Sequence, residues 1–148
     1  MTGQTADDER YMRMALEEAR RAAADGEVPV GAVIVTHGRV VGRGHNITEA
    51  MVDVTAHAEM QAITAASQTL GGKYLKDCTI YVTVEPCLMC AGALGWSQIG
   101  RVVYGASDPK RGCGTYTDHA YHPRTEVTAG VLADEAAALM RDFFGRKR

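Results

Sequence analysis

No apolar stretch in these 148 residues approaches the length needed to cross a membrane as a helix. The opening residues, MTGQTADDER, lack the basic start and apolar core of a secretion signal. Neither sign of charge is in large excess: the formal net charge is −2 and the pI near 6.2. A broad, sequence-blind nucleic-acid footprint calls for a basic domain and is disfavoured, while a small local contact stays open. No repeat, linker or low-complexity stretch divides the chain. One domain over residues 1–148 is therefore expected, with 46% hydrophobic residues to build its core. These absences leave a folded cytoplasmic protein as the expectation. Cysteines are reduced in that compartment, so the four present point to metal or catalytic roles over disulfides.

Apolar periodicity lays out the elements. Met12, Ala15, Leu16, Ala19, Ala22 and Ala23 fall at helical spacing within a helix expected from Asp7 to Ala24 and stopped at Gly26. VPVGAVIV and RVVGRG read as strands joined through a THGR turn, a β-hairpin. Residues 46–55 read as loop. HAEMQAITAASQTL, from His57, is helical up to Gly71-Gly72, and TIYVTV (Thr79–Val84) is a strand covered on both faces. CLMCAGALGWSQIG is a short apolar helix and RVVYGA (Arg101–Ala106) another strand. The polar stretch from Ser107 to Val127 reads as one long loop, of the kind that often carries function. A last helix places Leu132, Ala136, Leu139, Met140 and Phe143 on one face, ahead of a basic end, Arg146-Lys147-Arg148. Strands alternating with helices imply an α/β layered fold with helices on both faces of one sheet, made mixed by its opening hairpin.

The chemistry-bearing stretch is VEPCLMCAG, Val84 to Gly92, with Cys87 and Cys90 just after a strand. C-x-x-C in that setting is either a redox pair or half of a zinc site. Cys78 and Cys113 belong to no second C-x-x-C, so a four-cysteine structural site needs an irregular arrangement. Cys78 is expected as a small core residue and Cys113 as a loop thiol. Among the histidines, His57 stands apart: it opens a predicted helix and has Glu59 two residues on. Residues at i and i+2 do not share a helix face, so a metal gripped by His57 and approached by Glu59 sits off the helix end. Cys87 and Cys90, at i and i+3, do share a face, and a helix N-terminus favours their thiolates. His57 with the two cysteines makes three ligands and one open position, the catalytic pattern for zinc.

The resulting order, His57-Ala58-Glu59 then Pro86-Cys87-Leu88-Met89-Cys90, is the H-x-E…P-C-x-x-C signature of zinc nucleobase deaminases. Zinc lowers the pKa of bound water from about 15.7 to roughly 7. Glu59, kept off the metal, can then carry protons to a ring nitrogen and to departing ammonia. Two other classes compete with this one. A redox protein would show a Cys87–Cys90 disulfide and no zinc. A zinc-stabilised binding module would be indifferent to loss of Glu59.

Beyond these motifs, GEVPVGAVIV (Gly26–Val35), Asn46, TAHAE (Thr55–Glu59), EPCLMCAGA (Glu85–Ala93) and RVVYGASDPKRG (Arg101–Gly112) run over nearly the whole chain. In these the sequence resembles the bacterial tRNA-specific adenosine deaminases, of the cytidine deaminase-like superfamily. The resemblance implies a three-layer α/β/α cytidine deaminase-like fold and one Zn2+ per chain on His57, Cys87 and Cys90. It implies Glu59 as proton carrier, with the Ala58 N–H aimed at the reacting oxygen. Asn46 would bind the flipped nucleoside, and Pro29 and Val30 would wall its pocket. Asp108 would meet neighbouring nucleotides, and Phe143, Phe144 and the last helix would lie by a tRNA anticodon loop. A homodimer is implied, with the cysteine-bearing helix near its interface. The runner-up is the same chemistry on a free base or nucleoside: guanine, cytosine or cytidine. Departures from the family pattern, at Val54 and in Arg111-Gly112-Cys113-Gly114-Thr115-Tyr116, fall where substrate is contacted.

Overall fold

The computed structural model describes residues 3–146, so Lys147 and Arg148 of the basic end lie outside the described residues. Helix α1 spans Gly3–Ala24, starting four residues before the expected Asp7. Strands β1 (Gly31–Thr36) and β2 (Arg39–His45) form the expected hairpin, with His37 and Gly38 at positive φ in its turn. A short helix, α2 (Thr48–Met51), interrupts the stretch read as loop. Then follow α3 (Ala58–Leu70), β3 (Thr79–Val84), α4 (Leu88–Trp96) and β4 (Arg101–Ala106).

The long polar stretch is not all loop. It holds a 3-10 turn at Cys113–Thr115 and ends in β5 (Glu126–Thr128), whose Glu126 and Val127 are exposed. A three-residue strand at a sheet edge buries too little to leave an apolar signature. Helix α5 covers Ala133–Arg146, and Leu132, expected within it, instead precedes it at a φ of 54°.

The sheet order is β2-β1-β3-β4-β5. β1 runs antiparallel to β2 and β3, while β3, β4 and β5 are mutually parallel. Side chains alternate along the central strands. Ala32, Ile34, Ile80 and Val82 meet α3 and α4 on one face, and Val33, Val35, Tyr81 and Val103 meet α1 on the other. α5 packs on β4 and β3 beside α1. This is the expected three-layer arrangement with a mixed sheet.

The sheet and α3 come unusually close at Gly44. This β2 residue lies directly under the start of α3, where a Cβ would meet Gln61 Cβ at 2.5 Å and the Ala58 carbonyl oxygen at 2.6 Å. Only a residue without a side chain lets that first helical turn rest on the sheet.

Candidate active site

The topology gathers the site at one end of the sheet. The start of β1 and the ends of β2, β3 and β4 all face the same way, because β1 alone opposes the parallel set. Ligands of open α/β sheets bind outside the carboxyl ends of the strands. Here α3 also begins at that end. His57 is its N-cap residue, in extended conformation at φ −76° and ψ 159°. Cys87 is likewise the extended N-cap of α4, at φ −70° and ψ 170°. Both helices thus point N–H groups without upstream carbonyl partners toward one place.

His57 Nδ1 lies 3.6 Å from Cys87 Sγ and 3.5 Å from Cys90 Sγ. Zn–S bonds of about 2.3 Å and Zn–N bonds of about 2.0–2.1 Å at tetrahedral angles separate N and S by about 3.6 Å. The three donor atoms lie within 4.8 Å of one another, and among the described residues no fourth donor joins the cluster. One imidazole with two thiolates, leaving a coordination position to spare, is a donor set that fits zinc in a catalytic setting.

The electrostatics suit metal uptake. The Cys87 thiol is drawn down to about 4, by its hydrogen bonds with Cys90 first and with His57. Cys90, on the other side of the same hydrogen bond and more deeply buried, is pushed well above the thiol range. His57 is raised, chiefly through its hydrogen bond with Cys87. Glu59, only 3% exposed, is pushed up to about 7 by burial. A carboxyl that both holds and releases a proton near neutrality is matched to proton transfer; a cation nearby works against the rise.

A cavity of about 270 Å³ opens over these residues, and Val28, Val30, Asn46, Ala58, Glu85, Asp108 and Met140 are among its other walls. The residues expected to touch substrate divide on inspection. Asn46 and Ala58 are buried against the cavity, and Asn46 Oδ1 accepts the Thr48 N–H at 3.2 Å. Val30 is a wall, whereas Pro29 turns inward and is fully buried. Val28 and Val30 are joined by a hydrogen bond from the Val30 N–H to the Val28 carbonyl at 2.8 Å and both line the cavity, so Val28 takes the place expected of Pro29. Asp108 borders the cavity and also a larger neighbouring cleft of about 990 Å³. Phe144 lines that cleft and not the metal pocket, while Phe143 is buried and meets it edge to face at 5.2 Å.

Two carboxylates that fasten loops, the buried Glu27 and the half-buried Glu85, leave no mark in the sequence pattern. Glu27 accepts the Glu49 and Ala50 N–H groups at 3.0 and 2.8 Å, fastening α2 beside Asn46. Glu85 accepts N–H groups from the loop after β4. His45 is bound by the buried Glu18 at 2.9 Å. Cys78 is buried as expected, and Cys113 is buried with its thiol 3.3 Å from Tyr121 Oη.

Residues 5–106 match the cytidine and deoxycytidylate deaminase zinc-binding region. The tRNA-specific adenosine deaminase of Bacillus subtilis is 44% identical over 146 residues, covering 95% of this chain and 91% of that one. A solved tRNA:A34 deaminase, studied for A-to-I editing at the wobble position of transfer RNA, superposes with a TM-score of 0.81 at 41% identity. That match covers 88% of this chain and 98% of the other. Guanine deaminase from Nitrosomonas europaea has a TM-score of 0.80 at 26% identity, over 93% of this chain and 84% of that one. The extent and level of these matches, on top of a three-donor zinc pocket with a buried glutamate, mean that the chain belongs to the zinc-dependent deaminases, in the tRNA-specific adenosine deaminase family.

Proposed function

We propose that this protein, acting as one deaminase domain over residues 1–148, converts adenosine to inosine at the wobble position of a tRNA. The observation that carries this is the cleft of about 990 Å³ beside the metal pocket. It shares the walls Val28, Val84, Asp108, Arg111 and Met140 with that pocket, and adds Lys110, Arg141 and Phe144. A free base needs only the smaller cavity. A base that is part of a strand needs room beside it for its neighbours, cations for their phosphates and an apolar or aromatic surface for stacking. The likeness to a tRNA:A34 deaminase supports the same reading.

His57, Cys87 and Cys90 would hold the zinc, which supplies a hydroxide-strength nucleophile at neutral pH. The target nucleotide leaves its stack and enters the small cavity, at low cost when it sits in a loop. Asn46 and Val30 position the nucleoside there. Glu59 takes a proton from the attacking water and delivers it to the adjacent ring nitrogen, which makes the ring carbon electrophilic. It then takes the remaining proton of the oxygen gained by the base and passes it to the exocyclic amine, which departs as ammonia. The Ala58 N–H, in the first turn of α3, donates to the oxygen gained by the base.

The protein acts as a homodimer in the cytoplasm, where its substrate is found. Leu88, Met89 and Trp96 leave a row of apolar surface on the helix that carries Cys90, and Trp96 is 85% exposed. A second copy covering this face would remove that surface from water.

The test is ammonia release and inosine formation from an anticodon stem-loop, run beside free guanine, cytosine, cytidine and adenosine. Inosine in the stem-loop is expected. No inosine there, with ammonia from a free base, would replace this reading with the free-base one, which the likeness to guanine deaminase favours.

A further inference from the structure

Glu85 directly follows β3 and stands two residues before Cys87. Its backbone N–H donates to the Ala106 carbonyl at 2.8 Å, extending the β3–β4 pairing by one step. Its side chain turns into the loop that leaves β4. Oε1 accepts the Asp108 N–H at 3.0 Å and Oε2 the Gly114 N–H at 3.0 Å. Asp108 continues the arrangement one layer out: its Oδ1 accepts the Lys110 and Arg111 N–H groups, each at 3.0 Å. The loop closes back on the metal segment through Cys113 N–H to the Pro86 carbonyl at 2.9 Å and a bridge between Cys87 and Gly112. A Cβ on Gly112 would overlap the Glu85 carboxylate. The unusual Arg111-Gly112-Cys113-Gly114 run is therefore shaped to the side chain it surrounds.

The backbone N–H groups that turn this loop at Asp108, Lys110, Arg111 and Gly114 all end on one of two carboxylates, and the inner one is Glu85. Asp108 and Arg111 form the wall between the metal cavity and the large cleft. We infer that Glu85 is a positioning residue for substrate recognition: it holds the 108–114 loop so that Asp108 and Arg111 meet the nucleotides beside the target base. This role rests on the tRNA reading of the site and deepens it. Glu85 acts through the loop and leaves the metal chemistry to its neighbours.

The two acceptor oxygens explain why the residue is a carboxylate. Glutamine has the same shape but a single acceptor, and sets an NH2 group against one of the two N–H donors. Aspartate is one methylene too short to span both. Hydrogen bonds to an ionised acceptor are also the stronger kind, so one lost bond is enough to loosen the loop.

The experiment uses the zinc-loaded full chain with Glu85→Gln on an anticodon stem-loop. KM is expected to rise about tenfold, the size of one lost hydrogen bond to a charged group. Turnover number should stay within about twofold and zinc content should match the parent. In an Arg111→Ala background the same change should raise KM by about twofold or less, because both act through one wall. Gly112→Ala, whose methyl would crowd both the Glu85 carboxylate and the Asp108 carbonyl without removing a charge, should raise KM in the same direction and serves if Glu85→Gln does not fold. An unchanged KM, a loss confined to kcat or accompanied by loss of zinc, or a full additive effect in the Arg111→Ala background would overturn the role of Glu85. A parent protein inactive on the stem-loop but active on a free base would instead overturn the tRNA reading, and the strand-recognition role with it.

Discussion

Arg101 grips Asp8 with both of its terminal nitrogens, each 2.7 Å from a different carboxylate oxygen. Tyr81 Oη donates to the same Asp8 at 2.8 Å, and Arg101 Nη2 also donates to Thr128 Oγ1 at 3.0 Å. Helix α1 is thereby fastened across β3, β4 and β5 at the end of the sheet away from the metal. Burial, with Asp8 beside it, holds the Tyr81 hydroxyl above its usual range, so it remains a donor throughout ordinary pH. Asp8→Ala would strand a largely buried guanidinium and is expected to cost about 3–5 kcal/mol. Thermal unfolding of the variant should show a clearly lower Tm, with activity at 25 °C nearly unchanged. Replacing both partners, Asp8→Leu with Arg101→Met, should cost less than the single change.

Glu59→Gln keeps the shape of the side chain but cannot carry a proton. Turnover should fall by about 10²–10⁴-fold or more, the range for general acid–base groups. Metal analysis of the same preparation should find zinc bound as in the parent. A variant that kept its turnover would remove Glu59 from the proton path.

Zinc can be stripped with a chelator or by Cys87→Ser. Activity should vanish, while far-UV circular dichroism should change little. The sheet is filled on both faces by side chains of α1, α3 and α4, and these apolar clusters hold it together without the metal ligands. Tm should drop, since a ligand held by the folded state alone stabilises it. Zinc retention should weaken as pH falls, because the imidazole and thiols must lose protons to bind the metal.

Gly44→Ala places a methyl group against the Ala58 carbonyl and Gln61 Cβ. The first turn of α3 must lift, and His57 caps that turn. Lower stability of about 1–3 kcal/mol is expected, together with weaker zinc retention measured by competition with a chromophoric chelator. Loss of stability with unaltered zinc affinity would mean that His57 moves independently of α3.

Trp96→Glu puts a charge on the exposed face of α4. Light scattering after size exclusion should find the parent as a dimer and the variant shifted toward monomer at micromolar concentration. A parent that is monomeric throughout would rule out the proposed pairing.

The metal ligands are legible in the sequence because their chemistry forces residue type and spacing together: His57, Cys87 and Cys90 all sit at helix starts that apolar periodicity also marks. The strands β1, β3 and β4 are legible for a related reason, since burial on both faces leaves unbroken apolar runs. Asp8, Glu18, Glu27 and Glu85 are not, although all four have structural partners. In a sequence a buried or half-buried carboxylate looks like any surface acid, and its partners here are mostly backbone N–H groups or residues far along the chain. Strand β5 and helix α2 escape a sequence reading because three or four residues carry no periodicity. Trp96 and Tyr74 are exposed within the chain at 85% and 53%; no spacing rule separates an apolar residue under a helix from one on its outer side.

Only Glu85 and Pro86 separate the last residue of β3 from Cys87, a span of about 10 Å at full extension. The consequence is mechanical. The two cysteines are tied to a strand covered on both faces, with almost no slack between. Beside them, the loop after β4 and α5 carry the residues that face the cleft. The Cys113 N–H to the Pro86 carbonyl and the Glu85 carboxylate tie the loop after β4 to this same short span, so the metal ligands and the wall beside the cleft share one anchorage.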